Sequence, residues 1–213
     1  MNCTLASQAL DSLMRTRYGD SLAIVAWHPY AHDTLNINPD DSIRMSRYQH
    51  NPGQPSLALD GYLQVTMPSD PSEYYATFDA AIRTVKSTPA FVTLTATGEA
   101  DTVEGRVLVT LAMDSITPGT NPTLYCVVTE DSLLDQLGGA YYRVPAQFVP
   151  DRNGVPVSLA RGDTLVDTLT FATAGYRLDK LGAVVFVEDA SGTEVHRVLQ
   201  SATISRFVLT EDK

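Results

Sequence analysis

The chain has 213 residues, 44% of them hydrophobic and 19% charged, which is enough apolar material for one large core or two modest ones and is unlike a disordered protein. Fifteen Lys and Arg against 25 Asp and Glu leave a net charge of −10, and no basic run is present to follow a phosphate backbone, so nucleic acid is excluded as an expected partner. No apolar run reaches the roughly 18 residues of a membrane span and no signal-peptide pattern is visible, so the chain reads as cytoplasmic or already processed.

In chain order, Leu5, Ala9, Leu10, Leu13 and Met14 recur at helical spacing, with Cys3 or Thr4 at the start and Gly19 past the end. This predicts a first helix from Thr4 to Tyr18. The apolar run SLAIVAW, bounded by Asp20 and His28, has the length of a buried strand. NPDDSIRMSRYQ reads as a short helix capped by Asn38 or Asp40. PGQPSLALDGYLQVTM reads as two strands paired through a turn at Asp60 and Gly61. In DPSEYYATFDAAIRTVKS, Pro71 opens a helix that carries Tyr74, Phe78, Ile82 and Val85 on one face.

The pattern changes near Pro89, which places an α/β region at residues 1–88 and an all-β region at residues 89–213. FVTLTATGEADTVEGRVLVTLAMDS predicts two alternating strands with an acidic turn. TLYCVVTED, TLVDTLTFA and LGAVVFVEDASGTEVHRVLQSATI continue the pattern, for a sandwich of roughly seven strands.

The order helix, strand, helix, proline-containing hairpin, helix is that of a thioredoxin-like domain whose first strand is missing. Cys3 and TLASQALDSL, then AIVAWHPYAHD, then GQPSLALDG, resemble the thioredoxin-like half of the bacterial outer membrane protein 28-type surface proteins. The segments after Pro89, YYRVPAQFVPDRNGVPVSLARGDTL among them, resemble the immunoglobulin-like sandwich of the same family. In that family a CxxCP motif heads the helix. Aligned on ALDSL, Cys3 falls on the second cysteine, with Thr4 where a proline is usual. The resemblance implies that the absent strand lies in the sheet interior, between SLAIVAW and PSLALDG. Two rows of buried, unpaired backbone groups would be strongly destabilising. The expectation is therefore that residues precede Met1 in the natural protein, or that another polypeptide completes the sheet.

The same resemblance implies a cis bond at Gln54–Pro55, beside the thiol site, where backbone is presented to a bound chain; an ordinary turn proline is the plain alternative. Cys3, at a helix N-terminus, is either a resolving thiol paired with an upstream cysteine or a structural residue. Cys126, alternating within LYCVVTE, reads as a small buried hydrophobe, and two cysteines fit two free thiols or one disulfide. His28, His32 and Asp33, with His50 further on, sit close in sequence, but Pro29 puts the first three in a loop. Loop hydrogen bonding is favoured there over a metal site, and no metal is expected. The acidic turns EADTVE and VEDASGTE lack the alternating ligands of a calcium loop and read as solvated. No phosphate loop, dinucleotide fingerprint or Gly-x-Ser-x-Gly appears, so no cofactor is expected.

Two functions fit. One is a non-catalytic subunit for binding or assembly, periplasmic, secreted or at the bacterial cell surface, built on the thioredoxin-like scaffold. The other is a thiol-disulfide oxidoreductase using an upstream cysteine with Cys3. The single visible cysteine and the missing proline favour the first.

Overall fold

The protein is described here from a computed structural model covering residues 2–28, 34–35, 46–48, 55–115, 122–136, 138–189 and 196–211. It mixes helix and sheet, and strands predominate.

Helix α1 spans Asn2–Leu13 and runs on as one π-helical turn, Met14–Tyr18, before a 3-10 turn at Gly19–Ser21. The helical extent thus matches the expected Thr4–Tyr18, but its last turn is wider than an α-helix. That turn is held by Asp79, whose carboxylate accepts Tyr18 Oη at 2.6 Å and Arg17 Nη1 at 2.8 Å. Strands β1 (Leu57–Leu59) and β2 (Leu63–Val65) form the expected hairpin. Asp60 and Gly61 both take positive φ in its turn (46° and 73°), and a Cβ on Gly61 would meet the His196 carbonyl, so glycine is required there. Asp70 caps a 3-10 turn at Pro71–Glu73, followed by α2 (Tyr74–Lys86), which buries Tyr74, Phe78, Ile82 and Val85 as the spacing predicts.

From residue 92 the described residues form strands β3 (Val92–Ala100), β4 (Glu104–Met113), β5 (Pro122–Glu130), β6 (Leu133–Leu134), β7 (Ala140–Tyr141), β8 (Val144–Val149), β9 (Val155–Pro156), β10 (Thr164–Ala172), β11 (Leu181–Asp189), β12 (Arg197–Ile204) and β13 (Val208–Leu209), with one 3-10 turn at Leu178–Lys180. One sheet has the order β10-β4-β3-β13, and the other β12-β11-β5-β8 with β9 also on β5. Their inner faces close on a core that includes Val107, Val109, Leu111, Leu124, Cys126 and Val185. In the first sheet, β4 alternates buried and exposed positions. By contrast β5 and β11 are buried nearly throughout. The reason is that the outer face of the second sheet is covered too: Tyr125, Val127, Phe148, Val184 and Phe186 pack under Ala23, Val25 and Trp27. A strand covered on both faces needs an apolar residue at every position.

Two expectations need correction, and a third is met only in part of its length. SLAIVAW forms no strand: Leu22–His28 is extended, with no sheet partner among the described residues. Its side chains still alternate as a strand's do, Leu22 and Ile24 joining the core of α1 and α2 while Ala23, Val25 and Trp27 face the sandwich. What it lacks is the ladder. The VEDASGTE segment is not wholly a solvated turn, because Glu188 is fully buried. The short helix expected in NPDDSIRMSRYQ is seen over Ser46–Tyr48, and most of its remainder falls outside the described residues.

Candidate functional site

Between α1 and the sandwich lies a groove of about 390 Å³. Its roof is one stripe of α1, namely Cys3, Ala6, Ser7, Leu10 and Met14, which the helical repeat places on a common face. Its floor is the outer face of the second sheet at Val184, Phe186 and Val198. Leu22–His28 lines one side, and Pro55–Gly61 the other. Of β2 only Gln64 reaches the groove, so the hairpin presents the free edge of β1 to it.

Both sides are fixed to the sandwich at separate strands. Trp27 stacks on Phe148 of β8 with centroids 5.8 Å apart, and Ala26 N donates to Arg143 O at 3.0 Å. At the other side Val198 N of β12 donates to Asp60 O at 2.9 Å. Strands β12 and β8 stand three intervals apart in their sheet, about 14 Å at about 4.8 Å per interval. Two strands of that sheet, β11 and β5, lie between the two anchoring points. Neither wall is fully paired. Among the described residues the backbone groups of Ala23, Ile24, Val25 and Trp27 make no hydrogen bond, and β1 pairs only with β2.

Cys3 and Pro55 line this same groove. Gln54 and its bond to Pro55 lie outside the described residues, as do His32, Asp33 and His50. Cys3 is half-buried and packs against the cluster of Leu35, Tyr141 and Val144, while Thr4 Oγ1 lies 3.1 Å from Tyr141 Oη. The buried His28 ring meets the Tyr141 ring edge-on at 5.0 Å. Cys126 sits in the sandwich core, where burial pushes the pKa of its thiol up to about 12, and neither cysteine is in a disulfide. Cys126 is thus an inert core residue. Among the described residues no three His, Cys, Asp or Glu side chains gather to hold a metal ion. Chelator treatment should leave the melting temperature unchanged in a thermal-shift measurement; a drop of more than a few degrees would reinstate the histidine loop as a metal site.

Sequence reasoning missed the groove's other contributors. Asp11 lines it with a buried Oδ1 that accepts no hydrogen bond among the described residues, its other oxygen pairing with Arg15 at 2.8 Å. Val184 and Phe186 fall in the LGAVVFV run, which reads as a sandwich strand with nothing assigned to its outer face. The available signal was the unbroken apolar run of LGAVVFV, which implies cover on both faces.

No protein-family model and no curated protein matches the chain. Among solved structures, HBP35 of Porphyromonas gingivalis superposes with a TM-score of 0.66 at 13% identity, covering 81% of this chain and 59% of that one. A domain of the outer membrane lipoprotein Omp28 from the same organism gives a TM-score of 0.40 at 14% identity, covering 58% of this chain and 93% of that one. The resemblance to Omp28-type surface proteins read from the sequence is thus met again among structures. At these identities the likeness to HBP35 is one of fold, and the chain spans less than two thirds of it. No helix among the described residues is long and apolar enough to cross a membrane.

Proposed function

We propose that the protein is a non-catalytic binding or assembly subunit of a bacterial cell surface or periplasm. Residues 1–88 would form a thioredoxin-like scaffold lacking one strand, and residues 89–213 an immunoglobulin-like sandwich that supports it. The observation that carries this reading is the groove between Leu22–His28 and Pro55–Gly61, where a sheet layer lies open between two apolar layers. A catalytic site seldom leaves backbone unpaired along two facing edges; a polypeptide-binding site needs it. For thiol exchange the chain offers only Cys3, since Cys126 is sealed in the sandwich.

The test pairs location with thiol chemistry. Protease treatment of intact cells, or release of the periplasm, should reach the protein. The purified chain should reduce insulin disulfides no faster than its Cys3→Ser variant. A cytoplasmic location, or insulin reduction that disappears in Cys3→Ser, would overturn the proposal.

A further inference from the structure

We infer that Asp167 guards the free edge of β10: its inward-pointing carboxylate keeps that strand from pairing with β10 of a second copy of this chain.

An edge strand offers a row of unpaired N–H and C=O groups to any other strand, and folded proteins blunt such edges. The other three edges of the two large sheets are blunted by recognisable means. Strand β3 is covered at one end by β13 and at the other by Gln200 of β12, whose Nε2 donates to Val92 O. Strand β8 carries Pro145 and pairs with β5 through a register shift. Strand β12 has a similar shift against β11, and the β1–β2 hairpin covers its start, where Val198 N donates to Asp60 O. Strand β10 has none of these. Its nine residues pair with β4 in one unbroken register, and TLVDTLTFA contains no Pro, Gly, Lys or Arg. Val166, on its outer face, is 63% exposed. A long, regular strand of this composition pairs readily with another.

What β10 does have is Asp167. Leu165, Asp167, Leu169 and Phe171 alternate on its inner face, where the other three join the sandwich core. The carboxylate therefore stands at the rim of that core, beside the fully buried Val109 of β4. It makes no ion pair among the described residues, and its Oδ1 accepts Thr168 N at 2.8 Å. Because that N–H goes to a side chain and not to β4, the alternation of an antiparallel ladder turns the backbone groups of Val166, Thr168 and Thr170 toward the free edge. A strand laid there would meet a donor already taken. It would also cover the carboxylate with its own inner-face side chains, a costly burial for an unpaired charge. A second copy is the partner selected, since an edge pairing antiparallel with itself matches length and alternation throughout. The register that overlaps all nine residues sets Asp167 opposite Leu169 of the second copy, and a slip of two residues sets Asp167 against Asp167. The carboxylate opposes both.

The test is the mass of the purified chain by sedimentation velocity over a concentration series, with the folding of each variant checked by far-ultraviolet circular dichroism. The unaltered chain should sediment as a single chain. Asp167→Val, which suits a strand and removes the charge, should raise the self-association constant at least about tenfold and reach the mass of two chains. Asp167→Asn keeps the shape and an acceptor for Thr168 N, so it preserves the fold; it should raise the constant at least about threefold. Adding Thr168→Pro to Asp167→Val removes an edge N–H at a position where proline is tolerated, and should restore the single chain. An Asp167→Asn variant that associates no more than the unaltered chain overturns the inference, as does a folded Asp167→Val that behaves likewise. So does association that survives Thr168→Pro, which would lie elsewhere on the surface. Growth beyond two chains overturns it too, because two-fold pairing of one edge is closed.

Discussion

Phe78→Ala should lower the stability of the native protein by about 3–5 kcal/mol, the usual loss when a buried phenylalanine is truncated. Phe78 is 0% exposed, stacks on Tyr74 with ring centroids 5.5 Å apart, and fills the core that Leu13, Leu22 and Ile82 share. That core is small, so the cavity has few neighbours able to move into it. Urea unfolding followed by Trp27 emission reports on this part of the chain. Leu5→Ala, at a position 39% exposed, supplies the comparison and should cost well under 1 kcal/mol. A similarly small loss for Phe78→Ala would mean that α2 does not form the core described here.

The same helix shows what a sequence can reveal. Tyr74, Phe78, Ile82 and Val85 declare their face because the helical repeat is local, and all four are buried. The hairpin was equally legible, since Asp60 and Gly61 supply positive φ within two residues. In the sandwich, alternation in β3 and β4 fixed both strands and their turn, where Asp101 Oδ1 accepts the N–H groups of Val103 and Glu104 at 2.8 Å. Leu22–Trp27 was harder. Its composition and alternation are those of a strand, but a strand is completed by its neighbours, and none of the described residues pairs with it. The groove was legible only as an expected missing neighbour. Its floor was not, because that depends on which outer face of the sandwich meets α1, a choice made by contacts such as Trp27 on Phe148, 121 positions apart.

Glu188 is the residue whose role was least visible, and its replacement should have the second large effect. Val184, Phe186 and Glu188 occupy alternate positions of β11 on the face turned toward the N-terminal segments. Glu188 is fully buried, a costly place for a carboxylate unless it is paired and hydrogen-bonded. Tyr48 Oη donates to its Oε2; Arg47 Nη1 lies 3.8 Å from Oε1, and His196 Nδ1 lies 3.0 Å from it as an ion-pair contact without hydrogen-bond alignment. Tyr48 in turn lines the groove, and its carbonyl accepts Gln64 Nε2 of β2. The carboxylate thus ties the Ser46–Tyr48 helix, the hairpin and the sandwich together at one point. Glu188→Ala leaves the Tyr48 hydroxyl, the Arg47 guanidinium and the His196 imidazole facing an apolar hole, and should cost about 3–5 kcal/mol. Glu188→Gln retains an acceptor for Tyr48 and gives up the charge pairing, so its loss should be clearly smaller. Tyr48→Phe should cost about 1.5–3 kcal/mol, the range for a hydrogen bond to a charged group. Because Tyr48 and Glu188 touch, the Tyr48→Phe, Glu188→Ala double variant should be less destabilised than the sum of the singles. Urea midpoints for the four variants settle the point. Strict additivity, or a Glu188→Ala loss below 1 kcal/mol, would show that the Glu188 carboxylate does not hold the two halves of the molecule together.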